Sequence, residues 1–266
     1  LHALLSVFKP FSTWLAQRGA QECREVCGGL GYSAYNRLGS YYQDNDVDLT
    51  GEGDNNVLLQ QTMAFLLGCL GKLQADEKLP LLSVYFLTKS RPTFNSSNFF
   101  GSTSPIKAAL EVRANLLIHA CADKMKDLLA QGFDSEQAWK NLQIYYFRDA
   151  AKAYYDLHLM NEFEKEIETC QNRDSKKVLL QLYDLCGYHK IERDPVVLLE
   201  AGYLIKQNLI VFREKISTLC AEIKNESIGI IDAIATPDGI LNSPIGSSDG
   251  DIYHRFIGAV WAAPRA

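Results

Sequence analysis

A chain of 266 residues, 47% apolar and 22% charged, has the length for one large or two modest globular domains and the composition to fill a substantial core. Asp and Glu exceed Lys and Arg by 32 to 27, so the basic footprint that a phosphate backbone requires is missing and nucleic acid is not expected as a partner. No apolar run reaches the length of a bilayer-spanning helix, so no membrane insertion is expected, and Leu1-His2-Ala3-Leu4-Leu5-Ser6 carries neither a basic leader nor a cleavage site.

In chain order, Leu4, Leu5, Phe8, Phe11, Trp14, Leu15 and Val26 recur at mostly helical spacing from Leu4 to Cys27. Pro10 is expected as a kink or a first-turn residue, and Gly28-Gly29 as the stop. A short helix is predicted over Asn36 to Gln43, and the polar run Asp44-Asn45-Asp46-Val47-Asp48 reads as a loop. From Asp54 the helical pattern resumes through Val57, Leu58, Gln61, Phe65, Leu66 and Leu70, with Asp and Asn as capping residues. Glu52 therefore falls at a loop-to-helix junction, where unpaired backbone N–H groups can hold anions or carbonyl oxygens. Leu81 to Leu87 is ambiguous between strand and helix and is assigned to helix.

Periodicity breaks between Lys78 and Thr103, and Arg91 to Asn98 with Gly101-Ser102-Thr103 reads as a linker dividing residues 1–90 from 91–266. Ser104 as cap and Pro105 at the first position then open a long helix to Gly132. Asp134-Ser135-Glu136-Gln137 starts another, with Trp139, Leu142, Tyr146, Ala150, Ala153 and Tyr154 on one face. Two more helices are predicted near Ser175 to Gly187 and Gln207 to Ile234, and Pro237 to Gly250 is expected to be irregular. With no credible strand, the chain is predicted to be all-α, built as two helical-bundle units.

Seven cysteines lie singly, with no Cys-x-x-Cys pair, and are expected as small buried apolar groups in a reducing compartment. The five histidines are too scattered to form a metal site with them, so no metal is expected. Tyr145-Tyr146-Phe147 and Tyr154-Tyr155 read as core aromatics, and Glu162 to Glu168 with Lys165 as a solvated helix face. A Cys–His nucleophilic pair has no supporting spacing.

The chemistry concentrates in two short runs. Cys27-Gly28-Gly29-Leu30-Gly31-Tyr32 precedes Glu52-Gly53-Asp54-Asn55-Asn56 by just over twenty residues, with Asn36-Arg37-Leu38 and Asp44-Asn45-Asp46 between them. Taken singly, the glycines read as a helix stop and Glu52 as a first-turn carboxylate favouring the helix dipole. In this order they resemble the carboxyl-terminal signature of the acyl-CoA dehydrogenase and oxidase superfamily. Trp14 to Glu25, Glu52 to Thr62, Ile231-Asp232-Ala233, Leu241 to Gly246 and Asp249 to Tyr253 extend the likeness over nearly the whole chain, closest to the branched-chain, pristanoyl-type peroxisomal acyl-CoA oxidases.

That resemblance implies an FAD enzyme that desaturates an acyl-CoA between Cα and Cβ and passes the electrons to O2, working in the peroxisome as a homodimer. It implies Glu52 as the base that removes the α-proton, and the Glu52-Gly53 backbone as a contact for the thioester oxygen. Gly28 and Gly29 would approach the FAD of a neighbouring subunit, with Asp54 and Asn56 also near flavin. Two departures stand out: Gly51 occupies a position that is commonly aromatic, and Glu25 one where many dehydrogenases have Gln. The missing initiator Met leads to the expectation of a piece of a longer chain that is inactive alone, and Pro264-Arg265-Ala266 is no peroxisomal tripeptide, so that address is implied by family only. The alternatives are an acyl-CoA dehydrogenase that reduces a flavoprotein, and a non-catalytic helical assembly module.

Overall fold

The computed structural model describes residues 1–80, 82–89, 99, 104–234 and 236–262, and no strand occurs among them. The linker expected over 91–98 and 101–103 lies outside the described residues, as does Leu81 at the start of the ambiguous run. Thirteen α-helices are described: α1 (His2–Val26), α2 (Gly29–Tyr32), α3 (Leu38–Asp46), α4 (Asn55–Gln74), α5 (Pro105–Ala130), α6 (Ser135–Leu142), α7 (Tyr146–Thr169), α8 (Arg173–Arg193), α9 (Val196–Glu200), α10 (Lys206–Ile223), α11 (Ser227–Ile234), α12 (Asp238–Leu241) and α13 (Ile252–Ala262). Leu82–Thr88 is a 3-10 helix. The chain is all-α and forms two compact units, one of Leu1–Val7 with Asn56–Ile228 and one of Phe8–Asn55 with Gly229–Ala266.

In the larger unit, α5 packs on α6, α7, α8 and α9, and α8 packs on α7 and α10. The face that α5 turns inward, Ile106, Ala109, Leu110, Ala114 and Ile118, steps by three and four residues and is essentially removed from solvent. In α7, which packs on α5, Phe147, Ala150, Ala151 and Tyr154 are fully buried. Pro105 opens α5 at its first turn, where a missing N–H costs nothing. Asp134 and Gln137 close a reciprocal capping box at the start of α6, with Oδ1 of Asp134 accepting from the Gln137 N–H at 2.8 Å.

An ionic cluster lies inside this unit. Arg113, whose side chain is 2% exposed, donates from Nη2 to Asp156 at 2.6 Å and from Nη1 to the Lys190 carbonyl at 2.8 Å. Lys190 and Lys152 reach the same carboxylate at 2.6 and 2.9 Å. Burial pushes the Asp156 carboxyl upward, but the three cations outweigh it and hold the group below the usual carboxylate range.

Several expectations are corrected. Asp44 to Asp48 is helical, ending α3 and entering a 3-10 turn at Val47–Leu49. Its polar side chains hold it there: Asn45 donates to the Thr13 carbonyl at 3.1 Å and to Gln17 at 2.8 Å, and Asp46 accepts from Gln17 at 3.1 Å. The helix beginning at Asp134 stops at Leu142 and restarts at Tyr146, which leaves Tyr145 72% exposed rather than in the core. Of the two alternatives for Pro10, the first-turn one falls, since Pro10 lies inside α1. The stretch Gln207 to Ile234 is α10, a 3-10 turn and α11, and Pro237 to Gly250 contains α12. Of the seven thiols only Cys69 and Cys121 are buried, while Cys23 and Cys220 are exposed.

Candidate active site

The two motif loops fall at two helix junctions of the smaller unit. Gly28 lies two residues past the end of α1 with φ 56° and ψ −135°, a backbone that residues with a Cβ rarely adopt, and so turns the chain directly into α2. A Cβ added at Gly28 or Gly29 would meet nothing within 4 Å, so within this chain both glycines present bare, open backbone. Gly31 has a different reason: its Cβ would stand 1.8 Å from the Arg24 carbonyl oxygen, so glycine there lets α2 close on α1. Asn36, fully buried, ties the following loop together, its side-chain amide donating to the Leu30 carbonyl and its Oδ1 accepting from the Leu38 N–H at 2.9 Å. Ser243 donates to the Asn36 carbonyl at 2.6 Å. Glu25, at the position where many dehydrogenases have Gln, accepts from Gln21 one turn earlier at 2.8 Å.

Glu52 lies on the turn between the 3-10 segment Val47–Leu49 and α4. It is exposed and sits in the left-handed region at φ 52°, followed by Gly53 at φ 104°. No hydrogen bond or ion pair among the described residues engages its carboxylate. A non-glycine residue in left-handed backbone is held there by its surroundings, and both flanks show how. Upstream, the Gly51 N–H donates to the Val47 carbonyl at 2.6 Å, and a Cβ at position 51 would come 2.8 Å from that same oxygen. The turn as built thus excludes the aromatic side chain common at this position in the resembled superfamily. Downstream, Lys9 of α1 donates to the Gly53 carbonyl at 2.8 Å and to Oδ1 of Asn55 at 2.9 Å. Asn55, 1% exposed, in turn donates from Nδ2 to Thr13 at 3.0 Å.

The structure thus brings Gly28, Gly29, Glu52, Gly53 and Asp54 into one unit, while Asn56, in the first turn of α4, belongs to the other. Asp54 is half-buried immediately before α4, and Asn56 is exposed. Lys9 and Thr13 had no role in the sequence reading, and Asn55 had one only as a motif and capping residue; the one legible signal of the first two is that they sit four residues apart, on one face of a helix. A cavity of about 490 Å³ in the same unit is walled by Tyr35, Arg37, Asn242, Ser243 and Arg255 among others, and none of the motif residues lines it. Among the described residues no group of three or more His, Cys, Asp or Glu is placed to hold a metal, and no helix is long and apolar enough to cross a membrane.

The chain resembles known proteins along its whole length. Residues 102–266 match the model of the acyl-CoA oxidase family, and residues 1–67 match that of the acyl-CoA oxidase C-alpha1 domain. It is 34% identical to human peroxisomal acyl-coenzyme A oxidase 3 over 98% of its own length and 39% of that protein's. It is 33% identical to the oxidase acox-3 of Caenorhabditis elegans over 97% of itself and 38% of the relative. The crystal structure of acyl-CoA oxidase 3 from Yarrowia lipolytica superposes with a TM-score of 0.90 at 30% identity, over 99% of this chain and 39% of that one. The fold is shared with Caenorhabditis elegans acyl-CoA oxidase-1 complexed with FAD and ATP, at TM-score 0.92, 22% identity and coverage of 99% and 40%. The chain therefore spans about two fifths of the length of the relatives it matches, and its helices form the carboxyl-terminal part of their fold: it belongs to the acyl-CoA oxidase family.

Proposed function

We propose that this chain serves as the carboxyl-terminal part of a peroxisomal, FAD-dependent acyl-CoA oxidase, with Glu52 as the base that takes the substrate's α-proton. The observation that carries the reading is the state of Glu52: an exposed carboxylate, unengaged among the described residues, held in left-handed backbone by bonds on both sides of its turn. The thioester carbonyl acidifies the α-proton, and a carboxylate desolvated by flavin and acyl chain is a stronger base than one in water. As that proton passes to a Glu52 carboxylate oxygen, the β-hydrogen leaves with its electron pair and a trans-2-enoyl-CoA remains. The Gly53 N–H, which donates to no described residue, is available to the developing enolate oxygen.

FAD fits the residues present: the open backbone at Gly28 and Gly29 is a surface that a Cβ would roughen, and it suits close approach of a flat cofactor. FAD, which Gly28 and Gly29 would approach with Asp54 and Asn56 near it, would supply the acceptor for that hydride and the route of the electron pair to O2, giving H2O2. Asp54 and Asn56, beside the base at the start of α4, are assigned to the flavin side. Residues 1–90 complete the flavin- and substrate-side helical domain, 91–266 form the carboxyl-terminal helical domain, and the working assembly is a homodimer. A 2-methyl-branched substrate is proposed from the likeness to the branched-chain oxidases. The chain alone is inactive on this reading, because most of the flavin and CoA contacts belong to the rest of the polypeptide.

The complete polypeptide, given a 2-methyl-branched acyl-CoA under air, is expected to produce H2O2 in equal amount to the enoyl product. Electron transfer only to an added flavoprotein would assign it to the dehydrogenases instead, and no turnover with either acceptor would leave a helical assembly module.

A further inference from the structure

We propose that Lys9 is the positioning residue for Glu52: its ammonium clasps the turn that carries the base and fixes the direction of the carboxylate. The inference rests on the assignment of Glu52 as the base and adds the device that aims it. Lys9 lies 44 residues before Gly53, yet its Nζ donates to the Gly53 carbonyl at 2.8 Å and to Asn55 Oδ1 at 2.9 Å, so one side chain pins two points just past Glu52. Both bonds are charge-assisted, the stronger kind. A second strand of the clasp runs from Asn55 Nδ2 to Thr13 Oγ1 at 3.0 Å. Thr13 is fixed in turn, its hydroxyl donating to the Lys9 carbonyl at 3.0 Å one turn earlier in α1.

The turn needs such a clasp. Glu52 and Gly53 are consecutive positive-φ residues, at 52° and 104°, and left-handed backbone at a glutamate relaxes once nothing holds it. The upstream flank is held by the Thr50 and Gly51 N–H groups, which both donate to the Val47 carbonyl, at 3.2 and 2.6 Å. If the Gly53 carbonyl were released, the peptide between Gly53 and Asp54 would be free to rotate, and the adjoining peptide between Glu52 and Gly53 would lose its restraint with it. That rotation moves both the carboxylate and the N–H proposed to meet the thioester oxygen. Lys9 touches neither substrate nor flavin on this account, so its effect passes through Glu52.

The test uses the complete flavin-loaded enzyme and the rate constant of anaerobic flavin reduction by acyl-CoA at saturating substrate. Lys9→Met is expected to lower that rate roughly ten- to a hundredfold, the range that a misplaced catalytic group produces. Flavin content and half-saturating acyl-CoA concentration should stay near native. Lys9→Arg should recover part of the rate by restoring donors, and Thr13→Val, which removes the acceptor for Asn55, should slow reduction in the same direction by less. Glu52→Gln supplies the control: in that background Lys9→Met should cause no further loss. An equal loss in both backgrounds, or a native reduction rate in Lys9→Met holoenzyme, overturns the positioning role while leaving the base assignment intact. A native rate in Glu52→Gln alone overturns the base assignment itself. Should Lys9→Met fail to accumulate with flavin, Thr13→Val carries the same comparison, and a native rate there counts against the clasp.

Discussion

Replacing Asp156 by Asn tests whether the interior of the larger unit is organised around one carboxylate. Asp156 is 1% exposed and accepts from Arg113 at 2.6 Å, Lys190 at 2.6 Å and Lys152 at 2.9 Å. The two lysines have a way out, because their side chains are 16% and 34% exposed and can swing toward water. Arg113 has none: at 2% exposure it would keep the Lys190 carbonyl and the more distant, half-exposed Asp194 carboxylate at 3.9 Å, and its Nε has no partner among the described residues even in the native chain. Breaking a buried pair from one side costs about 3–5 kcal/mol, because the stranded charge stays buried. For a unit of this size that corresponds to a fall in Tm on the order of 10 °C. Thermal unfolding of the chain at pH 7, followed by its helical circular dichroism, reads the shift. The paired change Arg113→Met with Asp156→Leu should recover most of the loss, since an apolar replacement strands no charge. The pH dependence follows the same group. Because its pKa is depressed in the folded chain, the stability it contributes is complete above the unfolded value of about 3.9 and disappears as pH falls through the lower folded value. A Tm within about 2 °C of native for Asp156→Asn would refute this reasoning.

Three further outcomes are expected. Burial lowers the pKa of His158, which stacks on Tyr154 with a 9° angle between rings, against an opposing pull from Glu162. Stability is therefore complete above about pH 6.5 and declines as pH falls through the depressed folded value, so His158→Gln should flatten the fall in urea midpoint between about pH 6.5 and 5; an unchanged slope would remove the histidine as its source. Gly31→Ala should destabilise the smaller unit, since the new methyl stands 1.8 Å from the Arg24 oxygen. Gly29→Ala, whose methyl meets nothing within 4 Å, should leave the chain's unfolding unchanged while weakening FAD retention in the complete enzyme, and undiminished FAD binding would take that glycine out of the cofactor surface.

The helices were legible wherever local chemistry sets them. Asp134 to Gln137 announces a capping box, and Pro105 marks a first turn. What escaped depends on partners distant in the chain. Asp44 to Asp48 reads as a loop because its residues are polar, yet those side chains reach back 28 to 32 residues to Gln17 and Thr13. The break between α6 and α7 carries no glycine or proline, so the helical pattern runs straight through it. The Ile252–Ala262 helix could have been read, since Ile252, Phe256, Ile257 and Val260 repeat at helical spacing behind Asp251. Within the candidate site, the motif residues were visible as a pattern, and the Lys9 clasp that holds them was not. Its bonds span 44 and 46 residues, and no short window contains both ends.

The most direct test of the account is the rate at which acyl-CoA reduces bound flavin in Glu52→Gln, in the complete enzyme under anaerobic conditions. The substitution keeps the size and the left-handed turn and removes only the proton acceptor, so FAD should remain bound while flavin reduction falls by roughly two to four orders of magnitude. Reduction at the native rate would contradict the assignment of Glu52 as the base.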